Sequence, residues 1–175
     1  MNIQLQQGDV FATKNPQSLG KAITFMEALR NESGSAEYSH AGIIMNEKGC
    51  TFEAVWHIEE QNLFEAYKGD KVIIARWTGM NPDNFQKGWD AVKGELGMTY
   101  PYSRLFLHLI GLARWIHLGK DTVCSELAEK FLINAGAIMI AGKNWWGLTP
   151  QELVDEWRVS KYFNIIYEDV LPLSQ

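Results

Sequence analysis

Apolar residues Cys124, Leu127, Ala128, Phe131, Leu132 and Ala135 fall at i, i+3, i+4, i+7, i+8 and i+11, the spacing of one helical face. Asp121 and Thr122 are suitable N-caps before this helix, and Gly136 stands where it would stop. The same periodicity predicts helices over residues 19–30, 82–96 and, at least in part, 103–118. Pro82 suits the first turn of the second of these. A last short helix opens at Thr149-Pro150-Gln151-Glu152, where Thr149 and Glu152 have capping-box spacing and Pro150 takes the first helical position.

Short β-rich runs predict strands over residues 8–13, 38–45, 50–56, 71–77 and 162–167. The turn signal Asn46-Glu47-Lys48-Gly49 joins the second and third of these into an antiparallel hairpin. A turn centred between Glu47 and Lys48 sets His40 opposite Val55 and makes Glu53 its diagonal neighbour on the same face. Such neighbours are roughly 7–8 Å apart at the backbone, within reach of long side chains. A slip of one residue would put His40 and Glu53 on opposite faces.

Composition narrows the picture. At 175 residues and 46% hydrophobic content, with seven Trp and eight Phe, the chain reads as one globular domain over residues 1–175. A net charge of −5 without a cluster of Lys and Arg argues against nucleic-acid binding. The first residues carry neither a basic n-region nor an apolar h-region, so no secretory signal is expected. The greasiest run, residues 105–118, is broken by His108, Arg114 and His117. It is too short and too polar for membrane insertion, and it serves either as core or as one wall of a groove for an apolar substrate. Cys50 and Cys124 read as free thiols of a cytoplasmic protein, although a protein released by lysis or delivered by a phage would look the same.

The chemistry centres on Cys124. At the start of a helix it meets unpaired backbone N–H groups and the positive end of the dipole, which favour the thiolate. A lone cysteine is more often a small buried core residue, so a catalytic reading needs a base and an orienting group. His40, flanked by Ser39, Ala41 and Gly42, is the candidate base; its small neighbours leave room for a substrate backbone or equally for tight strand packing. Glu53 lies in a strand that otherwise reads as buried; it either faces the surface or, if buried, needs a partner, for which His40 is the nearest candidate. His57, His108 and His117 offer weaker placements. Cys124, His40 and Glu53 also form a conceivable zinc set, but no short ligand spacing such as C-x-x-C supports it, and no metal or cofactor is expected. Phosphate-loop, dinucleotide and G-x-S-x-G patterns are absent from the sequence.

Tyr38-Ser39-His40-Ala41-Gly42-Ile43, Phe52-Glu53-Ala54, Ala75-Arg76-Trp77, Tyr100 in Gly-Met-Thr-Tyr-Pro-Tyr, and Val123-Cys124-Ser125-Glu126-Leu127 ending at Ala135-Gly136 occur in that order. So arranged, with Gly8-Asp9-Val10 before them and Leu148-Thr149-Pro150 after, the chain resembles the circularly permuted NlpC-type papain-like cysteine hydrolases (YiiX-like, related to lecithin retinol acyltransferase-like proteins). The resemblance implies an α+β papain-like fold, a small antiparallel sheet packed against helices. It implies Cys124 as nucleophile, His40 as base, Glu53 as orienting group and Tyr38 as a second oxyanion donor or substrate contact. The expected substrate is a small peptide, such as a cell-wall peptide, or an acyl amide or ester. A noncatalytic binding module on the same fold is the alternative.

Overall fold

The computed structural model describes residues 3–14, 37–55, 57–98, 124–137 and 148–173. Six strands form one antiparallel sheet: β1 (Val10–Thr13), β2 (His40–Ile44), β3 (Cys50–Ala54), β4 (Ile58–Asn62), β5 (Lys71–Trp77) and β6 (Phe163–Val170), in the spatial order β4-β3-β2-β1-β5-β6. The described helices are α1 (Leu63–Ala66), α2 (Pro82–Val92), α3 (Cys124–Ala135) and α4 (Pro150–Val159), with a 3-10 turn at Lys93–Glu95. The expected α+β class with an antiparallel sheet is what the chain forms.

Alternation along the central strands explains why both faces are covered. Val10, Ala12, Ala41, Ile43, Phe52, Ala54, Ile73 and Ala75 turn to the side of α3, where they meet Leu127, Phe131 and Leu132. Phe11, Ile44, Val72 and Ile74 turn to the other side and pack on Leu63, Tyr67, Tyr167 and Leu171. On the α3 side, α2 reaches α3 through Gly88. A Cβ there would lie 2.7 Å from the Phe131 ring and 2.8 Å from the Phe131 carbonyl oxygen, so only glycine allows this approach. Phe85 then meets Phe131 edge to face, with ring centroids 5.5 Å apart.

The predicted helix ends are met by their chemistry. α3 runs to Ala135 and stops at Gly136, whose φ of 98° suits a left-handed C-terminal position. At α4 the full capping box forms: Glu152 N–H donates to Thr149 Oγ1 at 3.2 Å, and Thr149 N–H donates to Glu152 Oε2 at 2.9 Å. α2 ends at Val92, before the expected residue 96, because the chain tightens into the 3-10 turn. Two elements were not predicted, β4 and α1. Ile58-Glu59-Glu60-Gln61-Asn62 has no apolar alternation, since β4 sits at the sheet edge. α1 is a single turn that Asn62 caps by accepting from Phe64 and Glu65 N–H. The predicted helices over 19–30 and 103–118, the caps Asp121 and Thr122, and the Tyr100 loop lie outside the described residues. No helix among those described is long and apolar enough to cross a membrane.

Candidate functional site

The β2–β3 hairpin has the predicted register: Gly42 stands opposite Glu53, Ile43 opposite Phe52 and Ile44 opposite Thr51. The turn is fixed by Asn46 Oδ1, which accepts from Lys48 and Cys50 N–H, and by Gly49 at φ 81°. His40 and Glu53 are therefore diagonal neighbours on one face, and their side chains meet, His40 Nε2 lying 2.6 Å from Glu53 Oε2. An ionised carboxylate has no proton to give, so Nε2–H is the donor.

Cys124 is the first residue of α3, and its thiol meets the start of β2. The His40 ring and the backbone N–H groups of Ala41 and Ser125 lie where they favour a charged sulfur. With Nε2 directed at Glu53, Nδ1 is the nitrogen that serves Cys124. All three predicted catalytic candidates thus form one chain of contacts, Cys124–His40–Glu53, and each is buried.

Burial works against every charge in this chain, and its partners decide the outcome. Desolvation alone would push His40 down, but the hydrogen bond and negative charge of Cys124, then those of Glu53, push it up to about 10. Desolvation would push the Cys124 thiol up, and the His40 hydrogen bond, the His40 charge and the two backbone N–H groups hold it below the ordinary thiol range. Glu53 is likewise held below the ordinary carboxylate range, against desolvation, by His40, Thr51 and Tyr67. All three shifts run in the direction that favours the charged form of each group.

Two residues that sequence reading missed complete the carboxylate's surroundings. The Thr51 hydroxyl donates to Glu53 Oε1 at 2.5 Å, and the Tyr67 hydroxyl donates to Oε2. Thr51 was legible in principle, since it stands two residues before Glu53 on the same strand face. Tyr67 was not, because it arrives as the residue that ends α1. Phe11 and Tyr67 flank the His40 ring, with centroids 6.1 and 5.9 Å away.

Of the two readings of the small residues beside His40, room for a substrate or tight strand packing, Gly42 shows the packing. A Cβ at Gly42 would lie 2.6 and 2.9 Å from Phe11 ring carbons and 3.0 Å from Glu53 Cβ. Gly42→Ala is therefore expected to destabilise by about 1–3 kcal/mol, the cost of overpacking, measured as a lowered Tm. Tyr38 is buried beside the site strand. Its hydroxyl donates to Glu168 Oε1 at 3.2 Å, and its ring lies near Lys71 and Arg158. The backbone just before His40 is gripped from α4 instead, where Gln151 Oε1 accepts from Glu37 N–H at 2.8 Å and Tyr38 N–H at 3.2 Å. His57 is exposed, while His108 and His117 lie outside the described residues. Cys50 is only partly buried, and desolvation and Glu60 push its thiol up.

No family model and no curated protein matches the chain. It is similar in structure to the metalloprotein yiiX from Escherichia coli O157:H7, with a TM-score of 0.66 at 21% identity over 95% of this chain and 98% of that one. The likeness establishes that the chain has a yiiX-like fold.

Proposed function

We propose that the chain is a permuted papain-like, NlpC-type hydrolase domain that cleaves an amide or ester bond through Cys124. The observation that carries this reading is the buried chain Cys124–His40–Glu53 at the start of a helix. The thiolate attacks the carbonyl carbon, and the oxyanion is met by backbone N–H groups at the helix start, that of Cys124 among them. His40 Nδ1–H gives its proton to the leaving amine or alcohol as the bond to it breaks. Water then loses a proton to His40 and attacks the thioester, releasing the acid and restoring the thiolate. Glu53 holds the ring by Nε2 throughout. Tyr38 takes no part in this oxyanion site, since its hydroxyl is engaged by Glu168. The substrate is a small peptide or an acylated small molecule.

A metal at these three residues would need their donor atoms to converge. They do not: Glu53 and Cys124 sit on opposite sides of the imidazole, and Glu53 already accepts from three donors. Among the described residues, no group of three or more His, Cys, Asp or Glu is placed to hold a metal ion. The metal association in the yiiX name therefore finds no matching ligand set in this trio. A noncatalytic binding module would need none of this polarisation, and a buried ion pair is a cost to stability that function explains best.

Iodoacetamide labelling at pH 6 with peptide mapping tests the proposal. Cys124 is expected to label at least about tenfold faster than Cys50, because a thiol lowered by a His partner and a helix start is ionised there and an ordinary one of pKa ~8.5 is not. Equal, slow labelling of both would remove the catalytic reading. The sign of the pH dependence follows from the two shifts. The ion pair exists above the lowered thiol pKa and below the raised His40 pKa of about 10, so hydrolysis should hold a plateau between the two and fall as pH drops through the first or rises through the second.

A further inference from the structure

Glu53 has no exposed surface, and one of its three donors is charged. His40 Nε2–H and the Tyr67 hydroxyl share Oε2, and the Thr51 hydroxyl takes Oε1. Burial makes ionisation of Glu53 harder. Glu59 stands directly opposite it across the β3–β4 pair, its own carboxylate accepting from Gln61 Nε2 at 2.7 Å. Asp70 and the Cys124 sulfur bring further negative charge toward Tyr67. A fully buried carboxylate tends to take up a proton. If Glu53 did so, His40 would lose the charge that holds its own proton, and the thiolate would lose its imidazolium.

The two hydroxyls oppose that outcome, and the fold is built to deliver them. Thr51 projects from the same strand face as Glu53. Tyr67 is placed by α1, its backbone N–H bonding Leu63 O at 3.1 Å and its ring lying 5.5 Å from that of Phe11 and 5.9 Å from that of His40. We propose that Tyr67 and Thr51 are positioning residues of the site, acting through Glu53 to hold the proton on His40. This rests on the hydrolase reading above. The buried phenol suits that role, because desolvation and the Glu53 charge keep Tyr67 protonated and so keep it a donor.

The test follows the Cys124 thiolate by its ultraviolet absorbance against pH, each protein being referenced to its own Cys124→Ser counterpart. Tyr67→Phe keeps the ring packing and removes only the hydroxyl. Losing that donor raises the Glu53 pKa, and where Glu53 takes up a proton in consequence the His40 pKa falls and the Cys124 pKa rises. The thiolate midpoint should therefore move to higher pH by about 0.5–1 unit, a roughly three- to tenfold loss of thiolate on the acid side. A purely structural role would lower Tm without moving this midpoint. An unmoved midpoint in folded Tyr67→Phe overturns the proposal. Should that variant fail to fold, Thr51→Val, close in shape and suited to a strand, decides by the same criterion. A wild-type protein with no Cys124 thiolate below pH 7 would overturn the hydrolase reading and this one with it, whereas a low wild-type midpoint unchanged by the variants overturns this one alone.

Discussion

Alanine at Cys124 or at His40 is expected to lower kcat/KM by about ten-thousandfold or more, while Glu53→Gln loses about ten- to a thousandfold. Cys124 forms and breaks the bond to the acyl group, and His40 carries every proton in the cycle, so nothing substitutes for either. Glu53 acts at one remove, through Nε2 of His40. A glutamine can keep its carbonyl oxygen at the Oε2 position, where Tyr67 and His40 both donate, and present its NH2 to the Thr51 hydroxyl, which can turn to accept. The geometry of the ring is then preserved and only the charge is lost. Loss of charge lets the His40 pKa fall from about 10, so less imidazolium supports the thiolate. The pH window of the ion pair narrows from both sides, so the deficit should be smallest near its middle and grow toward both acidic and alkaline pH. The three variants assayed on any substrate that is turned over decide the order. A folded Glu53→Gln as inactive as Cys124→Ala would give Glu53 a larger part than an orienting one.

The site was legible where local rules govern it. Period-two alternation and one turn signal set His40 and Glu53 on a common face, and the observed register confirms that pairing. Apolar spacing and Gly136 framed the helix that begins at Cys124. What stayed hidden depends on contacts far apart in sequence. Nothing local shows that β1 lies between β2 and β5, or that β6 closes the far edge. β4 and α1 escaped notice because an edge strand needs no apolar alternation and a one-turn helix needs little more than its cap. Missing them meant missing Tyr67. Gly42 left room for a substrate and tight packing equally open, because a glycine does not say what fills the space beside it; here Phe11 fills it.

Arg76→Met is expected to destabilise the protein by about 3–5 kcal/mol, the cost of stranding a buried charge. Asp9 and Arg76 stood out in the sequence only as parts of separate motifs, Gly8-Asp9-Val10 and Ala75-Arg76-Trp77. The fold joins them. Arg76 Nε donates to Asp9 Oδ1 at 2.7 Å and Nη2 to Oδ2 at 2.8 Å, the fork geometry in which guanidinium matches carboxylate. Asp9 is 1% exposed and also accepts from Gln6 N–H at 2.8 Å, while Arg76 reaches on to Gln4 O at 2.8 Å. One ion pair thus holds the chain entering β1 against β5, and β1 is the strand on which β2 and its His40 are registered. Lysine cannot span both oxygens, so Arg76→Lys should recover only part of the loss. The double variant Asp9→Asn, Arg76→Met removes the stranded charge and should be more stable than Arg76→Met alone. Chemical denaturation of the four proteins measures this directly. If Arg76→Met unfolds at the same denaturant concentration as the parent, the pair does not hold the sheet together, and the support for His40 must come from the packing of Phe11 and Tyr67.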